Sequence, residues 1–373
     1  MKEFFDIAKT HPTVFAVGCE YQIIVPVKCP SLMSVIVDGI EYPDESGGVL
    51  RSNVAVHKVS VPMKSLDTVR AYTLVFRSVI DRKPYFPEFE PAVTREYAFR
   101  PLESERLGIY HISDTHNLEE APIAAGRAFA DQTDLLVLNG DIPDHSGSAE
   151  NFDTIYKIAS ELLHGEKPCI FSRGNHDLRG ALAESFGEYT PEQDGRSYYT
   201  FRCGPLWGIV LDCGEDKDDS FPEYGGTVAF HSFRLRQTEF IRQVIENAVR
   251  EYEAEGVKYR LVISHVPFSY KQEPPFDIEG ELYREWCTLL RTHIKPTLML
   301  SGHLHATKVF MPHDKFDSYG APCPVVIGSD LRRANPAKQM NEGFCGAFVG
   351  LSPENIRVVF NDSEGGVKGE FTL

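Results

Sequence analysis

Residues 107–116 read LGIYHISDTH. A run of buried-strand type stops at Asp114 and His116, two side chains able to bind a metal. The same event recurs four times downstream. LLVLNG (135–140) runs into Asp141, PCIFSRG (168–174) into Asn175 and His176, LVIS (261–264) into His265, and TLMLSG (297–302) into His303 and His305. Helical stretches lie between the runs, such as AENFDTIYKIASELLHG (149–165), a long one at 232–256, and GELYREWCTLLRTHI (280–294). Strands alternating with helices predict an α/β layered sandwich with flanking helices. The pair of strands in YYTFRCGPLWGIVLDCG (198–214) and the strand-rich end of the chain make the central sheet mixed. In such sheets ligands bind beyond the carboxyl ends of the strands. Five separate runs therefore bring polar groups to one edge.

Ahead of this pattern, residues 13–100 read as all-β. Short β-branched and aromatic runs (VFAVG, YQIIVPV, MSVIVDG, VAVHKVSVP, AYTLVFRSVI) are separated by Pro, Gly and Asp, as in a small fibronectin- or immunoglobulin-like sandwich. RKPYFPEFEP (82–91), with three prolines, reads as an exposed tip. The chain of 373 residues is expected to divide into a sandwich domain at 1–104 and an α/β domain at 105–373, in line with ~150 residues per domain. The Pro/Gly-rich segments 214–232 and 266–280 read as loops that select substrate, and the acidic run at 215–219 as a solvated loop.

Composition removes several classes. At 42% hydrophobic and 25% charged, the chain has material for a sizeable core. A net charge of −16 disfavours broad nucleic-acid binding and docking on anionic membranes. No apolar run approaches the ~18 residues of a bilayer span. MKEFFDIAKT lacks the pattern of a signal peptide. Eight cysteines without a C-x-x-C read as reduced thiols of a cytoplasmic protein. The N-terminal sandwich is a candidate surface for homo-oligomers.

The strand-end inventory is two Asp, one Asn and four His, with His176 kept apart. Imidazole and carboxylate suit Zn, Mn, Fe or Ni, and no thiolate is offered to an iron–sulfur cluster. The set suffices for two divalent transition-metal ions sharing a carboxylate. Those ions would outweigh Asp114 and Asp141 and leave a local positive spot for a small phosphate ester despite the overall charge.

The five blocks, Asp114-Thr-His116, Gly140-Asp141-Ile-Pro-Asp144, Gly174-Asn175-His176-Asp177, His265 and Gly302-His303-Leu-His305, resemble in order those of the calcineurin-like metallophosphoesterase superfamily. The resemblance covers roughly residues 106–330, and the all-β segment ahead of it is similar to that of purple acid phosphatases. It implies hydrolysis of phosphate mono- or diesters. It places Asp114, His116, Asp141 and His305 on one metal, with Asp141 bridging to a second held also by Asn175, His265 and His303. His176 would face the substrate and stabilise or protonate the leaving oxygen, Asp177 would orient that imidazole, and Arg173 would fork onto phosphate oxygens. One departure stands out. Purple acid phosphatases have a tyrosinate ligand three residues after the bridging Asp, where this chain has Asp144, so a divalent pair is expected. Asp144 itself reads either as an acid at a helix start or as support for the site. His111 reads as a core imidazole, and the pair Arg332 and Arg333 as a solvated turn. His231 is a loop residue that could reach the site. The alternative functions are a scaffold of the same fold that binds proteins, and a dinuclear hydrolase of amides or other esters.

Overall fold

In the computed structural model, residues 2–329 and 343–373 are described, together with the backbone of Arg333–Asn335 and Met340–Asn341. The strand Leu107–Ile112 is buried along its whole length. It pairs in parallel with Leu135–Asn139, which pairs in parallel with Pro168–Ser172. Ile112 lies opposite Leu138, and Leu138 opposite Phe171, so the residues that follow all three leave the sheet at one edge. A second sheet repeats the device. Leu206–Val210, Tyr259–Ile263, Leu298–Ser301 and Val325–Ile327 run parallel, with Ile263 opposite Leu300. Antiparallel Tyr199–Cys203 and Lys308–Phe310 close its two edges.

The two sheets face each other. Val137 and Ile170 of the first pack with Leu261, Ile263 and Leu300 of the second in one core. Leu136, Leu138 and Phe171 point the other way, against Ile155, Ile158 and Leu163 of the helix Asp153–Leu163. Trp286 and Ile241, from the helices Gly280–Leu289 and Phe230–Glu246, cover Ile209, Val262 and Met299 on the outside of the second sheet. Strands buried on both faces read as unbroken apolar runs, which is why the sequence makes them visible. The result is the α/β sandwich with mixed sheets that the strand–helix alternation predicts.

The N-terminal strands also form a sandwich, but one of its sheets is not separate. Thr13–Val17, Glu20–Pro26 and Val56–Pro62 extend the first sheet, making nine strands. Thr13–Val17 pairs in parallel with Pro168–Ser172, with Val14 opposite Pro168 and Phe15 opposite Cys169. The facing sheet is Val93–Ala98, Ala71–Asp81, Ser31–Val37 and Ile40–Pro43, with Glu88–Phe89 beside Ala71–Asp81. Val35, Leu74 and Phe76 pack on Ile23, Val25 and Val61, within the same core that lies between the two facing sheets. A line at 104/105 divides the sequence but crosses a continuous sheet.

Tyr85 and Phe86 stand in solvent at the expected tip. The eight cysteines form no disulfide. Among the described residues no helix is long and apolar enough to cross a membrane. Arg332 and the side chain of Arg333 lie outside the described residues.

Candidate metal centre

Each strand end turns sharply. Asp114, His116, Asp141, His303 and His305 all take positive φ, between 45° and 67°. Side-chain-bearing residues hold such conformations where surrounding contacts enforce them, and they gather at functional sites. Here the turns are laced together. The Asp114 N–H donates to Gly140 O and the His116 N–H to Asp141 O, both at 3.0 Å, and the His303 N–H donates to the Asp114 carboxylate at 3.0 Å. The glycines keep the space open. A Cβ on Gly302 would lie 2.6 Å from Asp114 Oδ2, and one on Gly174 would lie 2.2 Å from Asp141 Oδ1.

The seven candidate ligands meet. His116 Nε2 and His305 Nε2 are 3.3 Å apart, with Asp114 Oδ1 3.5 Å from His305 Nε2 and Asp141 Oδ2 3.9 Å from His116 Nε2. On the other side, His265 Nε2 lies 3.2 Å from Asp141 Oδ2 and 3.7 Å from Asp114 Oδ1. Asn175 Oδ1 and His303 Nδ1 are 3.1 Å apart. Two donors each ~2.1 Å from one ion, at tetrahedral to right angles, stand ~3.0–3.4 Å apart, so the closest of these pairs have the spacing of neighbouring ligands.

The decisive atom is His265 Nε2. The ring is buried, and its Nδ1 lies 2.7 Å from the Asn139 carbonyl, which can only accept. The Nδ1–H therefore donates there, and in the neutral ring Nε2 presents a lone pair between two carboxylates. That buried nitrogen makes no well-directed hydrogen bond among the described residues, its nearest neighbour being Asp141 Oδ2 at 3.2 Å. A cation is the missing partner that fits it.

Electrostatics agree. Burial pushes the Asp114 carboxyl up to about 7, against the pull of His265. Burial opposes ionisation of Asp141 too, but His265, His176 and His116 hold it well below the carboxylate range. Burial disfavours charge on His265, yet Asp141 and Asp114 raise it to about 10. The cluster demands positive charge, and without an ion only an imidazole proton can supply it. A divalent ion would displace that proton, as metal binding to histidine generally does.

Around this core, several assignments change. Asp144 is support rather than a helix cap. Its Oδ1 lies 3.0 Å from His116 Nδ1, the nitrogen facing away from the cluster. A carboxylate behind a ligating imidazole fixes ring and tautomer. The His176 ring stands edge-on to His116 with centroids 4.5 Å apart, and its backbone N–H donates to Asp141 Oδ1 at 2.9 Å.

Asp177 does not orient that ring. Neighbouring residues of the short helix His176–Leu178 point apart, and Asp177 is fully buried. Its Oδ2 accepts the N–H groups of Gly174 at 2.7 Å and Asp141 at 3.2 Å, fastening two ligand loops to each other. Burial pushes its carboxyl well above the usual range. The His176 Nδ1 instead contacts the backbone carbonyl of Asp144 at 3.0 Å.

Arg173 is not directed at the cluster either. Its Nε donates to buried Asp212 at 2.6 Å, and its guanidinium lies over Phe186 and Phe233. Among the described residues, the arginine that reaches His176 beside the cluster is Arg179, whose Nη1 lies 3.2 Å from His176 Nε2. Sequence reading passed over it because it falls outside the five blocks. It also took the run at 215–219 for a solvated loop, whereas Glu215 and Asp216 are buried and Glu215 holds Arg179. His231 stays exposed and pairs with Glu279, away from the cluster. His111 is the expected core residue; its Nε2 accepts from Asn139 Nδ2 at 3.0 Å.

Comparison with known proteins converges on the same segment. Residues 107–307 match the model of the calcineurin-like phosphoesterases. No curated protein matches the chain. Among solved structures, the purple acid phosphatase PPD1 of yellow lupin (Lupinus luteus) is similar over 98% of this chain and 74% of its own, with TM-score 0.59 and 13% identity. PhoD is similar over 100% of this chain and 90% of its own, with TM-score 0.61 and 11% identity. Both likenesses extend through the N-terminal strands and concern the fold. With every motif at its strand end and the family model spanning more than half of the sequence, this chain belongs to the calcineurin-like phosphoesterases and is a metal-dependent phosphoric ester hydrolase.

Proposed function

We propose that the chain hydrolyses small phosphate mono- or diesters with two divalent transition-metal ions. Asp114, His116, Asp141 and His305 would hold one, and Asn175, His265 and His303, with Asp141 shared, the other. The observation that carries this reading is the buried His265 Nε2, set between the carboxylates of Asp141 at 3.2 Å and Asp114 at 3.7 Å without a well-directed hydrogen bond. When bound, such ions act as Lewis acids on phosphoryl oxygens and make a water nucleophilic at neutral pH.

The chain's own residues do the rest. Asp144 holds the His116 ring, and Asp177 holds the loops of Asn175 and Asp141 in register. His176, partly exposed beside His116, is placed to meet the leaving oxygen. Imidazole is the side chain most often used to pass a proton there.

Elemental analysis of purified protein, combined with turnover of p-nitrophenyl phosphate and bis-p-nitrophenyl phosphate, tests the proposal and separates monoester from diester preference. Asp141→Asn is expected to lose turnover and weaken both ions. His176→Ala should keep both ions and lose about 10²–10⁴ in rate. Full metal content and full activity in Asp141→Asn would overturn the assignment.

A further inference from the structure

We infer that Arg179 is the positioning residue for His176, and that it stands between the metal centre and a cleft that takes the organic part of the ester. This rests on the phosphoesterase reading above. A guanidinium has donors only, so at 3.2 Å it makes His176 Nε2 an acceptor. The proton then sits on Nδ1, where the Asp144 carbonyl accepts it at 3.0 Å. Both ring nitrogens are thereby engaged in the substrate-free site, and one tautomer is selected; a proton delivered to the leaving oxygen must first be bound at Nε2 in place of the Arg179 contact.

Arg179 is itself fixed. Its Nε and Nη2 fork onto the two oxygens of Glu215, each at 2.8 Å. Glu215 is buried, and its Oε2 also accepts from the Tyr224 hydroxyl at 3.2 Å. The guanidinium is thus clamped along one edge by a loop residue, with its remaining nitrogen turned to the imidazole.

Arg179 also lines a cleft of about 730 Å³. Leu178, Val228 and Phe230 give it apolar wall. Its charged lining includes the carboxylate of Glu184 and that of Glu223, which pairs with Lys217 at 3.0 Å, while Arg173 there is paired with Asp212. With Arg179 on Glu215, Arg173 on Asp212 and Lys217 on Glu223, a second phosphate would find these cations already paired and would meet the Glu184 carboxylate. The cleft therefore suits an uncharged organic group of aromatic size or larger, and disfavours a polyphosphate chain.

The test uses the full-length, metal-loaded protein and Arg179→Ala, Arg179→Gln and Arg179→Lys. On 1-naphthyl phosphate, Arg179→Ala should lose about 10²-fold in kcat, the scale of a misplaced reacting group. Added guanidinium at millimolar concentration should recover part of that loss in Arg179→Ala and none in His176→Ala. Lysine, a point charge without the fork, should not substitute. Tripolyphosphate should be turned over far more slowly than 1-naphthyl phosphate by the wild type.

The second readout is the ¹⁵N spectrum of the His176 ring, which needs no turnover. Wild type should carry the proton on Nδ1, and both Arg179→Ala and Arg179→Gln should lose that single tautomer. Wild-type kinetics in Arg179→Ala, or an Nε2–H ring in the wild type, would overturn the inference. Absence of any phosphoester turnover in the wild type, with the Nδ1–H tautomer present and dependent on Arg179, would remove the phosphoesterase reading and leave the positioning intact.

Discussion

Replacing Asp144 tests whether the residue that stands where the purple enzymes have their tyrosine now works from behind a ligand. Its carboxylate reaches His116 Nδ1 at 3.0 Å, and its side chain is 48% exposed. Outer partners of ligating histidines are worth about 10–100-fold in metal affinity. Water can partly replace a carboxylate this exposed, which sets the expectation at the lower end. Asp144→Ala should weaken one ion about tenfold, or about 1.4 kcal/mol. Asp144→Asn keeps an acceptor and should lose less. The second ion proposed on the His265 side should keep its affinity, because Asp144 touches none of the candidate ligands there. At saturating metal, turnover should fall only a few-fold, since the Asp144 backbone carbonyl at 3.0 Å holds His176 more closely than its carboxylate at 3.5 Å. Competition against a fluorescent chelator, resolving two binding steps, gives both constants. Unchanged affinity at both steps, or equal loss at both, would refute the assignment.

Three further outcomes follow from geometry. Gly174→Ala would drive a methyl to 2.2 Å from Asp141 Oδ1; turnover should fall about 10²-fold with far-UV circular dichroism unchanged. Ser31, His57 and Asp44 form a line that resembles a hydrolase triad, with 3.3 Å and 2.5 Å contacts, but all three are buried. Asp44→Ala should therefore cost about 3 kcal/mol in a urea titration by breaking a buried pair, and a fluorophosphonate should label nothing at Ser31. His111 is pushed down to about 3, chiefly by burial and then by His265. A depressed histidine stabilises the fold while neutral, so its contribution is complete above 6.5 and drains away as pH falls toward 3. Between pH 6.5 and 4.5 the wild type should lose up to about 3 kcal/mol from this group. An equal slope in His111→Gln would contradict that origin.

The candidate ligands were legible because of where they sit. A strand buried on both faces is apolar throughout, so the first polar residue after it stands out; three such stops lie at an edge of the first sheet and two at an edge of the second, not all on one sheet as the sequence suggested. Partners across long sequence distances left no such mark. Arg179 depends on Glu215 in a loop 36 residues on, and the acid-rich composition of that loop suggested solvent, although pairing with Arg179 and Tyr224 buries Glu215. Asp177 was misread because adjacency in sequence says nothing about which way two side chains of one turn point. The union of the N-terminal strands with the first sheet escaped for a related reason. Parallel pairing of Thr13–Val17 with Pro168–Ser172 is set by topology, not by any local pattern.

That pairing also imposes an order of assembly. Thr13–Val17 must wait while about 150 further residues are synthesised before its parallel neighbour exists, a delay on the order of 10 s on a ribosome. During that interval one side of Thr13–Val17 is a bare edge open to other chains. Deleting residues 1–104 would not trim an appendage but would bare the flank of Pro168–Ser172, the strand that leads into Asn175. Such a truncation should emerge aggregated, and the two lobes of the intact protein should melt in a single transition.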